Sequence, residues 1–236
     1  MSFEWMVSAG SVTGPAHLAQ GTENQDRYDH EVNDAYALFV AADGAGSLSR
    51  SGEGAQMVVD SVIHTVASFA RGAGGEPLND VADIVRFALK LAVIQIHQLD
   101  DYKQYGATVA VVLITPEGHW AAGTIGDAFA VIRHEDGSYE MVTAEPGEYA
   151  NITELTTSEN PTYNIISGTQ MPAGVAASSD GLFRSTVAGG APFAGFYDVA
   201  MRHGGINVEE LFEYMSTQGK IDDDTTVVIG VKKKDE

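Results

Sequence analysis

An α+β layered sandwich is the fold class that this sequence predicts, and three observations lead to it. Four short apolar runs, over residues 37–42, 107–114, 174–179 and 225–231, have the length and composition of strands buried on both faces. Helical periodicities come in two blocks set apart by strand patterns, instead of alternating one helix with one strand. Tight turns join other strand patterns directly, as Glu135-Asp136-Gly137 does between residues 128–133 and 138–143.

Taken in order, residues 5–12 read as a short edge strand, followed by turn chemistry at Gly14-Pro15. Residues 16–34 are polar and hold Gly21-Thr22-Glu23-Asn24-Gln25-Asp26. The apolar run 37–42 stops abruptly at Asp43, with Gly44-Ala45-Gly46-Ser47 behind it. Ala55, Val58, Val59, Val62, Ile63, Val66 and Phe69 recur at helical spacing and predict a helix over 52–70. A glycine-rich break at 72–77 precedes a second helix, with Val81, Ile84, Val85, Ala88, Leu91, Ala92 and Leu99 on one face. Asn79 or Asp80 is its expected N-cap. From Tyr105 the periodicity becomes strand-like, with strands at 107–114 and 119–124 around Pro116-Glu117-Gly118, then the hairpin already named. Residues 144–162 are loop-like, 163–167 and 174–179 are strands, helices lie near 193–203 and 208–218, and 225–231 closes the chain as a buried strand. No repeat or low-complexity linker interrupts this order, so one domain over residues 1–236 is expected.

Composition removes several function classes. A chain of 236 residues folded as one domain buries roughly 70–75% of its unfolded surface and needs no staples. It has no cysteine, which excludes a disulfide framework, a thiolate nucleophile and a cysteine zinc site. Against 33 acids stand only 13 Lys and Arg, a formal charge of −20 that repels nucleic acid and anionic membranes and favours a bound cation wherever acids cluster. The one basic run, Lys232-Lys233-Lys234, reads as a solvated tail. Neither a signal peptide nor a long apolar window is visible, so a soluble, cytoplasmic protein is expected.

The informative acids are those that end strands. Asp43 follows Phe39-Val40-Ala41-Ala42, Asp127 follows Gly126 between two strands, Asp180 follows Ser178-Ser179, and Asp223-Asp224 precede Thr225-Thr226-Val227. One such acid is ordinarily a turn former. Four at separated strand ends, without His-rich or Cys-rich clusters, are better explained as convergent oxygen ligands, which select magnesium or manganese. Carboxylates from several strands bridging two cations suit phosphoester hydrolysis.

In order along the chain stand Asp43-Gly44-Ala45-Gly46-Ser47, Gly106-Ala107-Thr108, Gly126-Asp127, Ser179-Asp180-Gly181-Leu182 and Asp223-Asp224-Thr225-Thr226. That series resembles the metal-dependent type 2C Ser/Thr protein phosphatases. Asn24-Gln25-Asp26 and Gly147-Glu148-Tyr149-Ala150-Asn151 resemble their compact bacterial branch. The match runs from about Gly10 to Val231. The resemblance implies a four-layer α-β-β-α sandwich with two metals, manganese or magnesium, in a cleft at one end of the sheets. Asp43 would bridge both metals and the Gly44 carbonyl would bind one of them. Asp180 and Asp223 would complete the first metal's shell, and Asp127 with Asp180 would form a weaker third site. Asp26 would stand behind the ligands and orient metal-bound water, while Asp222 and Asp224 are outer neighbours or solvated. The reaction implied is direct attack of a metal-bridged water or hydroxide on a phosphoserine or phosphothreonine of a protein substrate. The enzyme would be a monomer opposing a Ser/Thr kinase.

Three departures from the family pattern matter. The arginine that often grips substrate phosphate is replaced by Gly21, so the metals alone hold phosphate, or Arg27, Arg50 or Arg184 does. No histidine stands at the Ala45 position, and His17 reads as a loop histidine. The interval from Asp127 to Asp180 is short, which reduces the flap beside the site to about 144–162, where Tyr149, Asn151 and Thr153 pack the loop or touch substrate. Two competing functions remain: a catalytically silent binding module of the same fold, and a phosphatase of small phosphorylated metabolites.

Overall fold

The computed structural model describes residues 3–144, 153–201 and 206–233. In chain order the elements are strand β1 (Trp5–Val12), helix α1 (Pro15–Gln20), strands β2 (Arg27–Val32) and β3 (Ala37–Gly44), and helices α2 (Ser51–Ala73) and α3 (Val81–His97). Strands β4 (Ala107–Ile114), β5 (Trp120–Ile125), β6 (Phe129–Arg133), β7 (Tyr139–Val142), β8 (Asn164–Gly168) and β9 (Gly174–Ser178) follow. A short helix α4 (Phe183–Thr186), the small strands β10 (Val187–Ala188) and β11 (Ala191–Pro192), helices α5 (Ala194–Ala200) and α6 (Val208–Thr217), and strand β12 (Thr225–Lys232) complete the chain.

Two antiparallel sheets of five strands carry the architecture, one in the order β1-β12-β9-β6-β7 and the other β2-β3-β4-β5-β8. The layering follows from side-chain alternation along the buried strands. In β3, Leu38, Val40 and Ala42 join the α2–α3 core, against Val58, Val62 and Val66 of α2 and Val85, Ala88 and Leu89 of α3. The intervening Ala37, Phe39 and Ala41 face the other sheet and meet Ala130, Ile132, Val175, Ala177 and Val228. The outer face of that second sheet, with Val131, Ala176, Val227 and Ile229, packs on Tyr197, Ala200, Phe212 and Met215 of α5 and α6. Three stacked cores separate four layers, α-β-β-α, and a strand buried on both faces reads as an unbroken apolar run for this reason.

Small residues set the closeness of the two sheets. Phe39 of β3 lies over Gly230 of β12, where an added Cβ would sit 2.5 Å from the ring. Alanine dominates the facing surfaces, so the sheets approach without large side chains between them.

Several sequence expectations require correction. The polar stretch 16–34 contains a helix and a strand, α1 and β2. Pro15 opens α1 at its first turn, and Gly21 closes it in the left-handed conformation at φ 67°. Strand β2 carries no apolar run because it is an edge strand none of whose residues is buried. Asp80 occupies the N-cap of α3, yet its side chain makes no capping hydrogen bond. Asn207 caps α6, accepting from the backbone N–H groups of Glu209 and Glu210. Lys232 belongs to β12, and the Lys233 backbone N–H donates to Glu4, so the basic run is anchored to β1 as far as Lys233. Lys234, like the Gly147–Asn151 segment with Tyr149 and Asn151, lies outside the described residues.

Candidate metal centre

The same alternation places the acids. Asp43 continues the Ala37-Phe39-Ala41 series, so its side chain belongs to the face between the sheets, at the mouth of that core. Thr108 is its partner across β4, and Thr226 in β12 shares the inter-sheet parity of Val228. Asp26 directly precedes β2, whose Arg27 pairs with Ala42, and this register brings Asp26 beside Asp43. Asp180 opens a turn of 3₁₀ helix, Asp180–Leu182, directly after β9 of the opposite sheet. Carboxylates delivered by both sheets thus meet at one end of the sandwich.

Their electrostatics are those of a site built for a cation. Asp26 is only 3% exposed and lies against Asp43, Ser179 and Thr226, yet neither of its oxygens accepts a well-aligned hydrogen bond. Burial, reinforced by the Asp224 charge, raises its pKa to about 6, although the contacts with Asp43, Ser179 and Thr226 pull the other way. Asp43 is held well above the usual carboxylate range, first by burial and then by the charges of Asp26 and Asp180. Burial and the Asp127 charge carry Asp180 up to about 6, with Asp223 and Asp222 adding to the rise and the contact with Asp43 opposing it. Three carboxylates in contact cannot all be ionised without a counter-charge. The charges that raise these three groups are those of other carboxylates, so a divalent cation fits the donor set.

Around this triad stand the other expected residues. Gly44 ends β3 in a spot where a Cβ would be 2.7 Å from the Ser51 carbonyl carbon and 2.9 Å from the Gln25 oxygen, so only glycine fits. Asp127 follows Gly126, which has φ +75°, and accepts a 2.7 Å hydrogen bond from Thr153 Oγ1. Thr153 therefore braces an acid of the site, as an anchor of the loop that contains it. Asp223 is exposed and accepts the Asp224 backbone N–H at 2.8 Å. All five residues expected at a metal, Asp43, Gly44, Asp127, Asp180 and Asp223, lie at this end of the sandwich.

Two residues were underrated from sequence. Of the two alternatives for Asp224, outer neighbour or solvated, the second is excluded: it is 3% exposed and accepts the backbone N–H groups of Gly14 and Gln25, each at 2.7 Å. It ties β12 to the entry of α1 and to the segment carrying Asp26. The even-numbered series Asp224, Thr226, Val228 held the signal for its burial. His17 is no loop histidine, because α1 carries it to Asp224, with Nδ1 2.9 Å from Oδ2. Gly14-Pro15 was the available sign of a helix start. The three arginines considered for phosphate are otherwise engaged. Arg27 donates to the backbone oxygens of Asn24 and Asp26. Arg50 pairs with Glu53 and covers the Tyr105 ring, and Arg184 pairs with Asp222 on the surface.

Comparison with known proteins agrees with this geometry. Serine/threonine-protein phosphatase 3 of Escherichia coli K12 is 27% identical over 190 residues, which cover 76% of this chain and 74% of that protein. The crystal structure of a bacterial serine phosphatase superposes with a TM-score of 0.72 at 16% identity, covering all of both chains. Serine/threonine phosphatase Stp1 from Staphylococcus aureus gives 0.70 at 15% identity, over 99% of this chain and 96% of that one. RsbX in complex with magnesium gives 0.61 at 15% identity, over 97% and 96%. Residues 13–214 match the family described as protein phosphatase 2C, and the chain is an enzyme of that family.

Proposed function

We propose that the protein is a metal-dependent phosphoserine/phosphothreonine protein phosphatase that hydrolyses its phosphomonoester directly with water. The observation that carries this reading is Asp43, at the mouth of the core and in contact with both Asp26 and Asp180, so that three carboxylates meet at one point. Asp43, the Gly44 carbonyl, Asp180 and Asp223 would hold two divalent cations, and Asp127 with Asp180 a weaker third. Hard oxygen donors select magnesium or manganese, and the magnesium complex of the structurally similar RsbX supports that class. Such ions, when bound, supply an activated water and neutralise charge on the phosphoryl oxygens.

The chain's own residues do the rest. Asp26, behind Asp43, would hold and orient water at the loaded site, and its oxygens, which accept no well-aligned hydrogen bond, support that role. Thr108 Oγ1, buried beside Asp43 without a hydrogen-bond partner, is a further polar atom left for the loaded site. Thr153 fixes Asp127, and Asp224 fixes the strand and loop ends on which Asp223 and Asp26 ride. The name of the Escherichia coli relative supports a phosphorylated protein as substrate; an opposing Ser/Thr kinase belongs to the same reading. The reading includes one domain over residues 1–236, a monomer, and a cytoplasmic location; no helix among the described residues is long and apolar enough to cross a membrane.

The test is p-nitrophenyl phosphate hydrolysis with added manganese, for the wild type and Asp180→Asn. Metal-dependent turnover lost in the variant is the expected result. A folded wild type that turns over nothing across pH and metal would point to the silent binding module. Phosphopeptides compared with phosphorylated metabolites then decide the substrate class.

A further inference from the structure

A phosphomonoester is itself an anion, and the side chains that converge on Asp43 are carboxylates. Besides the cations, a side chain that offers its phosphoryl oxygens a neutral or positive contact would aid binding, and Arg27, Arg50 and Arg184 pair elsewhere. His17 is differently placed. One edge of its ring, Nδ1, lies 2.9 Å from Asp224 Oδ2, an ion-pair distance without the alignment of a hydrogen bond. The opposite edge, Nε2, lies 3.6 Å from the point where a Cβ on Gly46 would sit, in the turn that follows Asp43. Side-chain ligand atoms of His17, Asp223 and Asp224 all fall within 4.8 Å of one another, so the ring borders an expected metal ligand. Its side chain is 15% exposed, which leaves it reachable from solvent while largely enclosed.

We propose that His17 is a substrate-binding residue whose Nε2 hydrogen-bonds a phosphoryl oxygen of the ester held at Asp43, with Asp224 as the residue that positions the ring. The inference rests on the phosphatase reading above. Asp224 is a firm support because its own carboxylate is fixed by the Gly14 and Gln25 N–H groups. With Nδ1 turned toward that carboxylate, Nε2 is the nitrogen left for a ligand. It donates to a phosphoryl oxygen when the ring carries two protons, and accepts from a protonated phosphoryl oxygen when it carries one. Gly46 matters because it lacks a side chain: any Cβ there stands against the Nε2 edge. His17→Gln keeps a polar side chain of similar reach in this largely enclosed place, so it controls for a purely structural effect of His17→Ala.

The experiment uses the full-length, manganese-loaded protein as wild type, His17→Ala, His17→Gln and Gly46→Ala. It measures kcat and KM for p-nitrophenyl phosphate, the inhibition constant of inorganic phosphate, and manganese affinity by calorimetry. A lost hydrogen bond to a charged ligand predicts that His17→Ala raises KM and the phosphate inhibition constant about tenfold or more. Over the same change kcat stays within about threefold and manganese affinity is kept, because the contact serves ground and transition states alike. His17→Gln recovers part of the loss, and Gly46→Ala shifts the phosphate constant in the same direction as His17→Ala. Unchanged KM and phosphate inhibition in an active His17→Ala would overturn the assignment and leave the phosphatase reading intact. Weakened manganese binding would overturn it in favour of a ring that ligates metal. Absence of manganese-dependent turnover in the wild type would instead sink the phosphatase reading.

Discussion

Replacing Asp43 by asparagine should make the metal-free protein more stable while it abolishes metal-dependent turnover. The reason lies in charges that the fold buries together. Burial is the main cause that raises Asp26 and Asp180 from 3.8 to about 6, and Asp43 is pushed higher by burial and by those two neighbours. A rise from 3.8 to about 6 corresponds to about 3 kcal/mol for each group, and coupling through Asp43 keeps the total below twice that. The folded values lie above the unfolded one, so the folded state keeps protons that the unfolded chain has released. The stability these groups contribute is therefore fully present below about pH 4 and is lost as pH rises through about 6, with Asp43 extending the loss further.

Asparagine at position 43 removes the central charge and offers amide hydrogens to both neighbours. At pH 7.5 without metal the expected gain is about 2–3 kcal/mol, a rise of about 5–10 °C in melting temperature for a chain of this length. Calorimetric melting of chelator-treated protein at pH 5 and pH 7.5 measures it. Manganese at a hundred times its dissociation constant should add about 2.7 kcal/mol to the wild type and little to the variant. A metal-free Asp43→Asn that melts below the wild type at pH 7.5 would refute the reasoning. So would a metal-free wild type more resistant at pH 7.5 than at pH 5.

Two further outcomes are expected. Asp224→Ala strands the buried N–H groups of Gly14 and Gln25, each bonded at 2.7 Å, and should cost about 3–5 kcal/mol in urea denaturation; a loss under about 1 kcal/mol would show that water replaces the carboxylate. Thr153→Val removes the 2.7 Å hydrogen bond to Asp127 on an exposed residue, so stability should change by about 1 kcal/mol or less while the weakest manganese step in calorimetry weakens several-fold; an unchanged titration would exclude Thr153 as a residue that positions Asp127 for metal.

What the sequence revealed and what it hid divide along burial. Residues 37–42, 107–114 and 225–231 were legible as strands because both faces of each meet a core, and that leaves an uninterrupted apolar signature. Asp43, Asp180 and Asp223 were legible because they break such runs. Strand β2 was not, since it lies at a sheet edge and its Arg27-Tyr28-Asp29-His30-Glu31 sequence spends most of its side chains in water. Asp26 could be placed by resemblance, but its burial depends on the pairing of Arg27 with Ala42, which no local pattern displays. His17 was passed over for a related reason. Its partner Asp224 lies more than two hundred positions away and meets it only through the docking of β1 against β12.

That distance says something about how the site is held. Asp43 and Asp26 come from the sheet that contains β2 and β3, and Asp180, Asp223 and Asp224 from the sheet that contains β9 and β12. Each sheet alone carries a partial set of acids, so the site exists only where the two sheets are docked. Docking is set by small side chains: Phe39 fits over Gly230, and alanines fill much of the remaining interface. The repulsion among the gathered carboxylates acts to open that interface, and about fifteen apolar side chains buried between the sheets oppose it. A cation held among these acids would reverse the sign of the local term, since Asp26, Asp43 and Asp180 are already in contact. The interior that looks most uniform, the alanine-rich face between two sheets, is thus what makes a cluster of like charges sustainable at its end.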